Sequence, residues 1–163
     1  MTLGTMVRNK PVLLVASGAV AATTVFTISN VLASSGQLPG PGVIRITSKL
    51  ISRAHLDRGR RGPSAGDVDI VREVLYNRRV TAKVIGHAEL VCIATGNRSS
   101  NCSGTFFLPK GKIIVQGPQA FPEFFEMAVA GGTGLYDNVR GTLTVTELGG
   151  RPVRFLIFFR LIV

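Results

Sequence analysis

The sequence predicts an all-β fold, an eight-stranded antiparallel β-barrel. Three observations carry this reading. From residue 42 onward no long helical period appears. The same stretch divides into eight runs rich in Val, Ile, Thr and Phe. Turn signals separate those runs at short intervals, so neighbours should pair as a meander, and closing the meander removes its exposed edges. Eight strands also enclose an interior wide enough for one small ligand.

The expected strands cover residues 43–56, 67–77, 80–94, 101–108, 111–118, 123–130, 139–148 and 151–162. The breaks between them fall at Gly59 to Gly66, Asn77-Arg78, Gly96-Asn97, Pro109-Lys110-Gly111, Gly117-Pro118, Gly131 to Gly134 and Gly149-Gly150. Ahead of the barrel, residues 34–42 (SSGQLPGPG) read as a Gly/Pro/Ser linker. Before that, Arg8 and Lys10 precede an apolar run from Pro11 to Leu32, and Val31-Leu32-Ala33 offers small residues to a signal peptidase. Residues 1–33 therefore read as a secretory signal peptide cut after Ala33. The run is also long enough to remain as an uncleaved membrane anchor. Either way the barrel, residues 43–163, is expected outside the cytoplasm.

The charge is basic, +10 for the chain. Loss of Arg8 and Lys10 would leave 17 Lys and Arg against nine Asp and Glu, or +8. A nucleic-acid platform would interleave basic and aromatic residues on one strand face. Here Arg58, Arg60, Arg61, Arg78 and Arg79 lie in polar connections, and there is no Trp. A solvated basic surface is the reading preferred over nucleic acid.

Gly131-Gly132-Thr133-Gly134 has the composition of a phosphate-binding loop, but such a loop needs a helix behind it. Val139 to Glu147 alternates as a strand instead. The glycines are expected to form a tight turn with positive φ. Cys92 and Cys102 flank the polar turn Thr95 to Ser100 and could face each other across a hairpin. In an exported protein such a pair favours a disulfide, with two free thiols as the alternative. His55 and His87 show no metal-ligand spacing with them. There is no metal cluster, cofactor loop or Ser-His-Asp order, so neither metal nor cofactor is expected.

Four segments in register resemble the allene oxide cyclase and dirigent barrels, in their bacterial, exported branch. They are Gly66-Asp67 ahead of Leu75-Tyr76, Gly86 six residues before Cys92, Val115-Gln116-Gly117-Pro118, and Ala128 to Gly134 followed by Arg140-Gly141. The resemblance spans roughly residues 43–163. It implies a barrel mouth that holds a reactive hydrophobic small molecule, and a homo-oligomer, trimer or dimer. It also implies that Glu73 faces the cavity, at a position where the cyclases carry asparagine. Alternation then puts Asp67, Asp69, Val71 and Leu75 on the same face, with Val68, Ile70, Val74 and Tyr76 outside. Arg140 matches a dirigent arginine that contacts substrate, and is expected to point inward toward Glu73 and Asp69.

Other positions depart from the cyclase pattern. His55 falls near a cyclase glutamate, Asp57 near an asparagine and Gln119 at a tyrosine. The candidate catalytic set is thus Asp57, Asp69, Glu73 and Arg140, with His55, Val71, Leu75, Cys92 and Gln119 as ligand-binding positions. Acids in a partly apolar cavity should have raised pKa values and could exchange protons with a ligand. An inward cation could stabilise developing oxyanion charge. Alternatively, Asp69, Glu73 and Arg140 form a satisfied internal ion cluster. The expected function is an exported barrel that steers cyclisation, isomerisation or coupling of a hydrophobic molecule, and any enzyme activity would be that of an isomerase or cyclase. The alternatives are a non-catalytic, lipocalin-like ligand cup and, more weakly, a basic protein that binds an anionic polymer.

Overall fold

A computed structural model describes residues 42–59, 61–79, 81–96, 98–120 and 124–162. The expected signal segment 1–33, and all of the expected linker except Gly42, lie outside the described residues. Eight strands follow in order: β1 (Val43–Leu56), β2 (Val68–Asn77), β3 (Val84–Gly96), β4 (Ser99–Leu108), β5 (Gly111–Ala120), β6 (Phe124–Gly134), β7 (Arg140–Gly149) and β8 (Arg154–Ile162). Each pairs antiparallel with the next, and β8 pairs with β1, closing the barrel. The all-β barrel expected from the residue pattern is the fold observed.

Two expected breaks are absent. Gly117-Pro118 lies inside β5. The β5–β6 ladder stops at Gln116–Ala128, so Pro118 sits where no amide donor toward β6 is required. Gly131 to Gly134 are not the turn but the end of β6, and the turn follows at Leu135 to Asn138. That turn is tied by Tyr136 N to Thr133 O at 3.2 Å and Asp137 N to Gly134 O at 3.1 Å. Asn138 takes the left-handed conformation at φ 60°. The central glycine answers a packing demand. A Cβ on Gly132 would stand 2.3 Å from Tyr136 O and 2.6 Å from Lys112 O.

The barrel has a filled end and an open end. The filled end holds the start of β1 and the β2–β3, β4–β5 and β6–β7 turns. Inward side chains such as Leu75, Ile113, Leu143 and Phe159 are buried below it, and Phe106 meets Phe159 edge to face at 5.1 Å. The open end holds the β1–β2, β3–β4, β5–β6 and β7–β8 connections.

One irregularity in β1 matters for the open end. Leu50 pairs with Glu73, but Ser52 pairs with Arg72, which leaves Ile51 as an extra residue. Ile51 is exposed to solvent. This β-bulge reverses the alternation. Ile46, Ser48 and Leu50 have the inward parity before it, and Arg53 and His55 have it after.

Candidate functional site

The open end contains a cavity of about 280 Å³. Its walls are apolar, with Leu50, Val71, Leu90, Phe106, Phe125 and Phe155 among them. Polar groups from five strands also line it: Arg53 of β1, Asp69 and Glu73 of β2, Ser100 of β4, Gln119 of β5 and Glu147 of β7. Cys92 and Cys102, directly paired between β3 and β4, form a disulfide in the wall. Gln119 Oε1 lies 3.6 Å and 3.2 Å from the two sulfurs. Disulfide sulfurs carry no hydrogen, so this is a polar contact rather than a hydrogen bond.

Glu73 is the deeper carboxyl. It is only 7% exposed and is registered between Leu50 and Ala88. Burial pushes its pKa up, and the Ser48 hydroxyl opposes that shift with a smaller effect. Ser48 Oγ is itself buried and makes no well-formed hydrogen bond. No ion pair to Glu73 is present among the described residues. A carboxyl in this setting favours its protonated form.

Asp69, four residues earlier on β2, has the opposite environment. It accepts from Arg53 Nε at 3.1 Å and Nη2 at 2.7 Å, and lies 3.0 Å from His55 Nδ1. The Arg53 guanidinium lowers the Asp69 pKa despite some desolvation, and His55 adds to the effect. The expectation that cavity acids share a raised pKa therefore holds for Glu73 and is corrected for Asp69. One strand face carries an acid whose pKa is raised by burial and another whose pKa is lowered by a cation, separated by Val71. Such a pair divides proton donation from charge stabilisation.

The other expected positions scatter. Val71, Cys92 and Gln119 line the cavity with Asp69 and Glu73. Leu75 has the same facing but lies fully buried in the core. His55 sits half-exposed beside Asp69. Asp67 is buried away from the cavity lining and caps the β1–β2 loop, accepting from Arg58 N at 2.8 Å and Ser64 N at 2.7 Å. Asp57 is exposed in that loop and accepts from Gly62 N at 3.3 Å. Arg140 is a correction. It opens β7 at the filled end, is exposed, and donates from Nη1 to Val139 O at 2.8 Å. On β7 the buried positions are Leu143 and Val145, with Glu147 continuing that parity into the cavity lining, so Arg140 has the outward one. The proposed Asp69–Glu73–Arg140 cluster does not form.

The cation that reaches the cavity is Arg53, which the residue pattern did not single out. Nothing in the local sequence marks the bulge that turns it inward. Glu147 was also missed, although Leu143, Val145 and Glu147 alternate and carried a usable signal.

No protein-family model matches the chain, and no curated protein matches it in sequence. Solved structures do. A pyocyanin demethylase is 27% identical over 74% of this chain and 99% of its own, at a TM-score of 0.63. A pterocarpan synthase dirigent protein is 15% identical over 72% of this chain and 82% of its own, at 0.57. An exo-specific intermolecular Diels-Alderase is 14% identical over 72% and 96%, also at 0.57. The fold is that of the dirigent-like and cyclase barrels. In this dirigent-like barrel the open end offers an apolar chamber, a buried acid and, at its edge, an arginine–carboxylate pair. That set can hold a mostly apolar molecule, exclude water and move a proton.

Proposed function

We propose that this barrel binds a hydrophobic, reactive small molecule and steers its isomerisation, cyclisation or coupling, with Glu73 as the proton-transfer group. The observation that carries the reading is the Glu73 carboxyl, buried in a mostly apolar cavity without a cationic partner among the described residues. A neutral carboxylic acid there can protonate a carbonyl or alkene of the ligand. The resulting carboxylate can take a proton back from a second position. The net change is isomerisation, with no electrons gained or lost. The apolar walls hold a flexible ligand in one reactive conformer, which lowers the entropic part of the barrier. The Arg53–Asp69 pair supplies fixed charge at the edge of the chamber. The relative at 27% identity bears the name of an enzyme that acts on a small molecule, pyocyanin, which supports a catalytic rather than a purely binding role.

Export belongs to the same proposal. The Cys92–Cys102 bond suits an oxidising compartment. N-terminal sequencing of secreted protein should begin at Ser34.

The test pairs binding with turnover. Apolar-dye fluorescence measures occupancy of the cavity, and differential mass spectrometry of an apolar metabolite extract measures conversion. Glu73→Gln should keep dye affinity within about threefold and lose conversion by at least a hundredfold, the usual scale of general acid–base catalysis. Conversion unaffected by Glu73→Gln would remove Glu73 from the chemistry. Dye binding with no conversion by either protein would favour the non-catalytic cup.

A further inference from the structure

The two ends of the barrel differ sharply in charge. The turns and strand ends of the filled end expose Arg78, Arg79, Lys83, Lys110, Arg140 and Arg160. Arg45 joins them near the start of β1, its guanidinium 5.2 Å from the Phe158 ring. Asp137 is the acidic residue at this end among the described residues. At the open end the arginines are interleaved with Asp57, Asp67, Asp69 and Glu147, and three of those acids, Asp57, Asp67 and Asp69, accept hydrogen bonds at the cavity edge or in the loop. Exposed aliphatic side chains stand among the cations of the filled end: Val43 at 50%, Val84 at 53% and Ile162 at 68% exposed. Ile162 is registered directly opposite Arg140, and Val43 opposite Arg160.

We propose that the filled end docks on the surface of an anionic phospholipid bilayer. Lysine and arginine side chains gain favourable energy beside phosphate headgroups within a Debye length. Aliphatic side chains between them enter the upper acyl region, and long cationic side chains extend to the headgroups around them. The surface suits lipid better than nucleic acid. Its exposed apolar groups are aliphatic, and Phe107 and Phe158 beside it carry Lys112 and Arg45 over their rings rather than offering bare faces for base stacking. Docked in this way, the barrel turns its cavity toward water. Ten-residue strands, such as β2, hold the two ends about 25 Å apart once strand tilt is included.

The chain has no Trp, so a single introduced indole reports its own position. Ile162→Trp and, at the open end, Leu148→Trp, each in the exported form that begins at Ser34, are mixed with vesicles of phosphatidylcholine alone or with one third phosphatidylglycerol, each with brominated acyl chains. The expected result is blue-shifted, quenched emission from Ile162→Trp on the anionic vesicles only, reversed by 0.5 M salt, and no quenching of Leu148→Trp. Adding Arg45→Gln, Arg140→Gln and Arg160→Gln to Ile162→Trp should weaken the anionic-vesicle quenching at least tenfold while the thermal melt is unchanged. Equal quenching of Ile162→Trp on neutral and anionic vesicles would overturn the proposal, as would equal quenching of the two reporters. A response of Ile162→Trp to heparin or RNA, with none to anionic vesicles, would also overturn it and assign the surface to a soluble polyanion.

Discussion

Arg53 reaches Asp69 diagonally across β1 and β2. Its direct partner in the register is Val71, while Asp69 stands opposite His55. Two hydrogen bonds, 3.1 Å and 2.7 Å, span that diagonal, and the His55 ring closes on the same carboxylate at 3.0 Å. The contact exists because the Ile51 bulge has already turned Arg53 to the inner face.

The first prediction concerns the pH dependence of this pair. The Asp69 pKa is lowered in the folded barrel. Its stabilisation is therefore present above the unfolded value of about 3.9, and is lost as pH falls through the lower folded value. Arg53 is half-exposed, so solvent screening limits the effect, and Arg53→Met should cost about 1 kcal/mol at pH 7. Melting temperatures of the variant and the parent should converge between pH 4 and pH 2. A gap that stays constant to pH 2 would show that packing, not charge, accounts for the loss.

Glu73 should behave in the opposite sense. Its folded pKa is raised, so its contribution is fully present below the unfolded value of about 4.3 and is lost as pH rises through the folded value. Glu73→Gln keeps the shape without the ionisation. The variant should melt with the parent at pH 4 and above it at pH 8. A parent that is the more stable of the two at pH 8 would mean that the ionised carboxylate has a stabilising partner.

Gly132 should tolerate no side chain. The Cβ of Gly132→Ala would meet two backbone oxygens, Tyr136 O and Lys112 O, well inside contact distance. Backbone cannot swing aside as a side chain can, so the cost should reach about 3 kcal/mol, the upper range for overpacking. Denaturant titration reads this directly. Gly42→Ala, whose added Cβ would meet Leu161 O at 3.9 Å, is the tolerant control. A midpoint for Gly132→Ala equal to that control would show that the β6–β7 turn can move away.

The outer face of β2 and β3 leads to an assembly prediction. Ile70, Val91 and Ile93 are exposed there, Ile70 directly opposite Val91. Contiguous exposed apolar side chains on a folded barrel suit contact with another copy. We expect a homo-oligomer, a trimer in light scattering, and Ile70→Glu should dissociate it. A parent protein that is monomeric at micromolar concentration would leave the stripe unexplained by self-association.

Much of the barrel was legible before any coordinates. Alternation along a strand is a local property with a period of two, so the facing of β2 could be read once a single residue was assigned. That assignment brought Asp69, Val71 and Glu73 to one wall. The hairpin spacing of Cys92 and Cys102 was equally local, and the two are direct cross-strand partners.

What the sequence by itself determined was the number and order of the strands and the period of each, because these follow from residue-by-residue propensity and pattern. Tertiary structure alone decided which cation meets the acids. Arg140 and Arg53 are both arginines near strand ends, but β7 begins at the filled end while the Ile51 bulge turns Arg53 inward at the open one. It also decided that Asp69 and Glu73, four residues apart on one strand, have opposite charge preferences. It gave the glycines of β6 their role, since the demand for Gly132 comes from the backbones of Lys112 and Tyr136. Register, bulge and close approach are agreements between segments distant in the chain, and a one-residue change in any of them exchanges inside for outside.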